Sequence, residues 1–156
     1  MAHYDMLVIG SGPAGQKAAI QAAKIGKKVA VIERKKVAGG ICINTGTIPS
    51  KSLREAVLFL SGFRQRNLYG ASYRVKKDIT FEDLAQRCDH VIKAEQEVIQ
   101  NQLLRNSVDF ITGTASFLDP HRLSIRQESE MNEHTAEYIK SGALIFLPLL
   151  SWIETE

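Results

Sequence analysis

The stretch that most restricts this chain is Gly10-Ser11-Gly12-Pro13-Ala14-Gly15, a glycine-rich turn directly behind one apolar run and directly ahead of a small-residue segment. The run before it, Asp5–Ile9 (DMLVI), has the unbroken apolar character of a strand covered on both faces. After the turn, Ala18, Ala19, Ile20, Ala22, Ala23 and Ile25 predict a helix that can approach a sheet closely, with Gly26 as its stop. A second apolar run, Lys28–Ile32 (KVAVI), predicts another strand, and Glu33 ends it. Strand, turn, helix and strand form a βαβ unit, whose strands are parallel and whose crossover is right-handed. The fold class is therefore α/β with a parallel sheet.

The turn fits the pattern G-x-G-x-x-G, and its context gives the pattern meaning. The first glycine permits a tight turn, the second lets backbone approach a diphosphate, and the third lets helix and strand pack closely. Amides at the positive end of the helix then hold the phosphates. Glu33 lies 18 residues beyond Gly15, where an acid accepts hydrogen bonds from a ribose hydroxyl and repels a 2′-phosphate. The expected ligand is a dinucleotide such as FAD or NAD, not NADP. Gly10, Gly12, Pro13, Ala14, Gly15, Glu33 and its neighbour Arg34 are the candidate binding residues. The plain alternative is a turn that only connects two elements, with Glu33 on the surface.

The segment from Lys35 to Ser50 is rich in Gly, Thr, Asn and Pro and predicts a loop. Leu53, Ala56, Val57 and Leu60 predict a helix from Ser50 to about Gln65, followed by a connection through Asn67–Asp78. Thr80 and Asp83 resemble a capping box, and an apolar stripe from Leu84 to Leu103 predicts a long helix over roughly Phe81–Arg105. VDFITG, ASFLD and RLSIR then predict strands, the last two as a small hairpin or meander. From Leu144 to Trp152 the chain is apolar without a clear period, and one more strand is expected near Ala143.

Composition excludes several classes. A length of 156 residues suits about one domain, and 44% hydrophobic with 24% charged residues suits a globular chain with a core. A net charge of +3 from scattered basic residues gives no nucleic-acid footprint. Two cysteines make no secreted disulfide framework. The start lacks a signal-peptide pattern, and no stretch reaches the ~18–20 apolar residues of a membrane span, so a cytoplasmic protein without membrane or nucleic-acid partners is expected. His3, His90, His121 and His134 have no metal-ligand spacing, and no metal is expected.

Four stretches in order, VIGSGPAG, VIER, GGICINTGTIPSK and ITGTASF, resemble the N-terminal FAD-binding part of the pyridine nucleotide-disulfide oxidoreductases. The resemblance covers about Tyr4 to Ile139. It implies a Rossmann-like FAD-binding domain with a long helical insertion and a small β-meander. It also implies FAD on Gly10, Gly12, Gly15 and Glu33, with Gly40 and Cys42 along the phosphate and flavin edge. Lys51 would sit beside the flavin N5, its charge favouring anionic reduced flavin, and the Ala115 backbone would meet the adenine. Cys42 and Lys51 are the candidate catalytic residues, although a passive packing role for Cys42 is equally open.

The second motif of that family usually carries two cysteines that form a redox disulfide. Here Thr47 stands at the second position. Cys88, on the apolar stripe of the long helix, reads as a structural thiol. A dithiol relay needs a second thiolate to resolve the mixed disulfide. Thr47 within GTIPSK resembles the soluble pyridine nucleotide transhydrogenase branch, which implies hydride transfer from NADPH to NAD⁺ through FAD with no disulfide. Two other readings stay open: an incomplete FAD-binding module without turnover, and a dihydrolipoamide dehydrogenase-like reductase. Against the family, residues 1–139 correspond to an incomplete FAD-binding domain and residues 140–156 to an atypical apolar tail. The NAD(P)-binding domain and the domain through which members form homo-oligomers are expected to be absent.

Overall fold

A computed structural model describes residues 1–128 and 130–141. The chain divides into two compact units, one of Met1–Gly40 with Glu97–Glu156 and one of Ile41–Gln96. The expected strand near Ala143 and almost all of the apolar tail lie outside the described residues.

The first unit is built on β1 (Ala2–Ile9), α1 (Pro13–Lys24) and β2 (Val29–Glu33). β1 and β2 pair in parallel with Leu7 opposite Ala30 and Ile9 opposite Ile32, which is the expected βαβ unit. β3 (Asp109–Thr112) lies parallel on the far side of β2, then β4 (Thr114–Asp119) and β5 (Arg122–Gln127) form an antiparallel hairpin. β6 (Glu130–Ser141) completes a six-stranded sheet of order β3-β2-β1-β6-β5-β4.

β6 joins two kinds of pairing. Its residues Glu130–Thr135 run antiparallel to β5, and its residues His134–Ser141 run parallel to β1. Only His134 and Thr135 take part in both ladders. Sequence reading leaves this strand unassigned. Its segment, EMNEHTAEYIKS, is largely polar, and Ala136 alone in it is buried. Backbone pairing, to β5 along its first half and to β1 along its second, holds it in place, with Ala136 and Ile139 as its contribution to the core.

Both faces of the parallel strands are covered, which is why β1 and β2 read as continuous apolar runs. Leu7, Ala30, Ile32, Leu123, Ile125, Ala136 and Tyr4 form a buried cluster between parallel strands and meander. Val8 meets α1 on the other face, where a Cβ added to Gly15 would stand 3.2 Å from Val8 Cγ1. At the opposite end of β1, the Tyr4 hydroxyl donates to Asp109 Oδ2 at 3.0 Å, and the Lys28 ammonium lies 4.9 Å from the Tyr4 ring centre. Burial, with the Asp109 hydrogen bond and charge added, pushes the Tyr4 phenol up to about 12.

In the second unit the predicted loop before Ser50 is partly helical. α2 spans Gly40–Asn44 from the unit boundary, and α3 spans Thr47–Leu60, starting three residues earlier than expected. α3 also stops at Leu60, short of Gln65; a 3-10 turn at Phe63–Gln65 and the short α4 (Arg66–Tyr69) follow. Gly62, at φ 65°, is the reason: it breaks the helix ahead of the turn. α5 spans Phe81–Arg105 as predicted. Its capping box is made: Asp83 N–H donates to Thr80 Oγ1 at 3.3 Å, and Asp83 Oδ2 accepts the Thr80 N–H at 2.9 Å.

Candidate functional site

The turn between β1 and α1 is Gly10–Gly12, and its three motif glycines do different things. Gly10 adopts φ 96° and donates its N–H to the Ile32 carbonyl at 2.7 Å, which fixes the turn to the end of β2. A Cβ at Gly15 would stand 2.1 Å from the Gly10 carbonyl oxygen, so any side chain there collides with backbone. Gly12, the N-cap of α1, has the ordinary dihedrals φ −64° and ψ 171°, and a Cβ there would meet nothing within 4 Å. Folding therefore demands Gly10 and Gly15 but not Gly12. The room left at Gly12 lies at the mouth of α1.

That mouth suits an anion. Pro13 takes the first helical position, and the first turn has no acidic residue and no side-chain cap. The amides of Ala14 and Gly15 and the positive helix end are left to face a diphosphate. A cradle open at Gly12, with amides aimed into it, fits the diphosphate of a dinucleotide.

Glu33 is tied to this turn. Its Oε2 accepts the Ser11 N–H at 2.9 Å and the Ser11 hydroxyl at 2.7 Å, while Oε1 accepts the Lys35 N–H at 3.2 Å. Burial raises the carboxyl, but the two Ser11 donors and the Lys35 and Arg34 amides outweigh it and hold the group below the usual glutamate range. Glu33 is thus a carboxylate at neutral pH. Oε1 still has acceptor capacity for a sugar hydroxyl.

A second strap crosses the same turn. Gly39 N–H donates to Ser11 Oγ at 3.1 Å and to the Ser11 carbonyl at 3.2 Å. Gly40, at φ 62°, comes so close that a Cβ there would stand 2.9 Å from Gly12 Cα. Gln16 Nε2 donates to the Ser11 carbonyl at 2.6 Å. Ser11 is fully buried at the centre of these bonds, and Gln16 is buried beside it. Sequence reading missed Ser11, Gln16 and Gly39. Ser11 fills a variable position of the glycine pattern, and a lone buried Gln in an alanine-rich helix carries no signal.

Beside β2, Arg34 lines an open cleft of about 790 Å³ with Lys36, Thr112–Thr114 and Arg126–Glu128. Ala115 follows Thr114 on β4, opposite Ile125, and its side chain packs on the core cluster. Gly10, Gly12, Pro13, Ala14, Gly15, Glu33 and Gly40 are brought together by the turn. Arg34 and Ala115 stand at and next to the cleft.

Cys42, Thr47 and Lys51 belong to the second unit. Cys42 is half-buried in α2, while Thr47 at the first position of α3 and Lys51 one turn later are exposed. Asn44 Oδ1 accepts Gln96 Nε2 at 2.6 Å, which ties the end of α2 to α5. Cys42 and Cys88 are both free thiols, and Cys88 Sγ lies 3.5 Å from the Pro49 carbonyl. Among the described residues no helix is long and apolar enough to cross a membrane.

A parallel βαβ unit with a glycine turn at a helix mouth and an acid at the next strand end defines a dinucleotide-binding α/β protein. Residues 4–143 match the family described as pyridine nucleotide-disulphide oxidoreductase, and the chain belongs to that family. It is 57% identical over 141 residues to a soluble pyridine nucleotide transhydrogenase of Mycobacterium bovis (strain BCG / Pasteur 1173P2), covering 89% of this chain and 30% of that protein. A protein of the same name from Photorhabdus laumondii is 41% identical over 131 residues, covering 84% of this chain and 28% of the relative. The chain thus spans 30% or less of the length of these relatives. Among solved structures it resembles the Cu(II) complex of the HOCl-induced flavoprotein disulfide reductase RclA from Escherichia coli. The TM-score is 0.74 at 29% identity, over 90% of this chain and 28% of the other.

Proposed function

We propose that this chain is the FAD-binding part of a transhydrogenase that moves hydride from NADPH to NAD⁺. The observation that carries the FAD reading is the absence of any protein atom within 4 Å of where a Gly12 Cβ would stand, in front of the α1 amides, with the Glu33 carboxylate fixed to the same turn. The amides of Ala14 and Gly15 hold the diphosphate, Oε1 of Glu33 takes a ribose hydroxyl, and Arg34 and Ala115 lie toward the adenine. FAD, when bound, would supply a ring that accepts two electrons with a proton and passes them on.

Two observations favour transhydrogenation over disulfide reduction: Thr47 stands where a second redox sulfur would be needed, and Cys42 and Cys88 are free. The names of the relatives support the same reading. Lys51 is assigned to the flavin as a fixed positive charge and Cys42 as a thiol contact. A second reading, a flavin-binding module without turnover of its own, is supported by the single glycine-turn βαβ unit among the described residues. Two nicotinamide substrates need a site that this unit does not supply.

Absorbance of the purified chain with added FAD, followed by NADPH and thio-NAD⁺, separates these outcomes. A bound-flavin spectrum with thio-NADH formation supports the transhydrogenase. A bound flavin without transfer supports the module. Absence of any flavin binding refutes both, and reduction of lipoamide lost in Cys42→Ser would restore the reductase reading.

A further inference from the structure

We infer that Ser11, through its side-chain hydroxyl, is a positioning residue that locks the diphosphate turn to both the ribose-binding acid and the Gly39–Gly40 strap; this rests on the FAD reading above. The hydroxyl has one proton and two lone pairs. Its proton goes to Glu33 Oε2 at 2.7 Å, and a lone pair accepts Gly39 N–H at 3.1 Å. The same residue gives its amide to Glu33 Oε2 at 2.9 Å and its carbonyl to Gln16 Nε2 at 2.6 Å. Ser11 is fully buried, so each lost partner leaves a polar group unsatisfied.

The direction of these bonds has a functional meaning. Ser11 receives Gly39 on a lone pair while its single proton goes to Glu33, which as a carboxylate can only accept. The ionised acid fixes the hydroxyl, the hydroxyl holds Gly39, and Gly40 then lies so close to Gly12 that a Cβ on it would stand only 2.9 Å from the Gly12 Cα. Ser11 thereby sets where the backbone stands at the diphosphate and which Glu33 oxygen is left for the sugar. It touches no reacting atom. The groups facing Glu33 are the Ser11 hydroxyl and amide from the turn and the Arg34 and Lys35 amides from its own strand end. Arg34, Lys35 and Lys36 follow it in the chain, and no ion pair to Glu33 is present among the described residues.

The test compares Ser11→Ala and Ser11→Cys with the parent chain. The cysteine keeps the volume but is a weak donor, which separates hydrogen bonding from packing and guards against a misfolded alanine variant. FAD affinity is read by flavin fluorescence, and the Glu33 carboxyl is titrated by ¹³C NMR without FAD. Both variants are expected to bind FAD about tenfold more weakly at neutral pH. Removing a donor raises the Glu33 titration, so acid loss of FAD begins at a higher pH than in the parent. In a Glu33→Gln background the Ser11 substitutions add little, because the acceptor is already altered. A cysteine variant with parental affinity and parental Glu33 titration overturns the inference while leaving FAD binding intact. Fully additive losses with Glu33→Gln overturn it too. A parent chain that binds no FAD overturns the cofactor reading itself.

Discussion

The same substitution, glycine to alanine, should separate folding from binding at two positions three residues apart. At Gly15 the new Cβ would stand 2.1 Å from the Gly10 oxygen and 3.3 Å from the Gly10 carbonyl carbon. Ordinary contact needs more than 3.4 Å, so strand end or helix must move by over 1 Å. Both elements lie in a close-packed unit, and overpacking of this kind costs about 1–3 kcal/mol. For a chain of this size that lowers the melting temperature by roughly 2–12 °C. At Gly12 the Cβ enters open space with unstrained dihedrals. Reduced freedom of the unfolded chain and the poorer N-cap residue act in opposite directions, each by about 1 kcal/mol or less, so stability hardly changes. The methyl instead occupies the place proposed above for the diphosphate. Loss of one charge-assisted hydrogen bond there, worth about 1.5–3 kcal/mol, weakens FAD binding roughly 10- to 150-fold. Thermal melts by circular dichroism and FAD titration of both variants check this. A Gly12→Ala chain that binds FAD like the parent, or a Gly15→Ala chain that melts like it, would refute the reasoning.

Tyr4 should ionise late. Its folded value, about 12, lies above the ordinary 10.0, so its contribution to stability is complete below pH 10 and is lost as pH rises toward 12. Ultraviolet phenolate titration of the parent and Tyr4→Phe should therefore differ by the late step, and an early Tyr4 would refute the roles given to its burial and its Asp109 hydrogen bond. At the start of α5, Thr80→Ala removes the acceptor of the Asp83 N–H and a donor to its carboxylate, lowering the melting temperature by about 2–4 °C. The Lys76 ammonium, then the Thr80 amide and hydroxyl, hold the Asp83 carboxyl at about 2. Their stabilising effect is present above the ordinary value of 3.8 and fades as pH falls toward 2, which an acid titration of Asp83 by NMR checks.

The parts of the fold legible in the sequence are those where one local rule decides. DMLVI and KVAVI are apolar on both sides because helix and meander cover both faces. Gly10 and Gly15 are demanded by the turn itself. The stripe from Leu84 to Leu103 and the Thr80–Asp83 pair give α5 its length and its start. β6 was not legible because its partners are 100 or more residues away in β1 and adjacent in β5, and neither requires an apolar side chain. The early start of α3 was hidden by Pro49, which reads as a loop residue but is tolerated in the first turn of a helix. At the candidate site, the glycine pattern marks the turn proposed to hold phosphate. It says nothing of Ser11, whose importance arises from Glu33, Gly39 and Gln16, three partners that only the folded chain assembles.

β6 also governs the order in which this domain can be completed. β1 is synthesised more than 120 residues ahead of its partner in β6, and one of its flanks is closed only by residues His134–Ser141. Until those residues emerge from the ribosome, the strand that carries the glycine turn presents a bare row of amides and carbonyls to its surroundings. Contacts so distant along the chain form slowly, and an open flank of this kind is a template for pairing with another nascent molecule. A chain that stopped at Glu133 would keep its whole nucleotide motif and leave that flank of β1 without a partner strand.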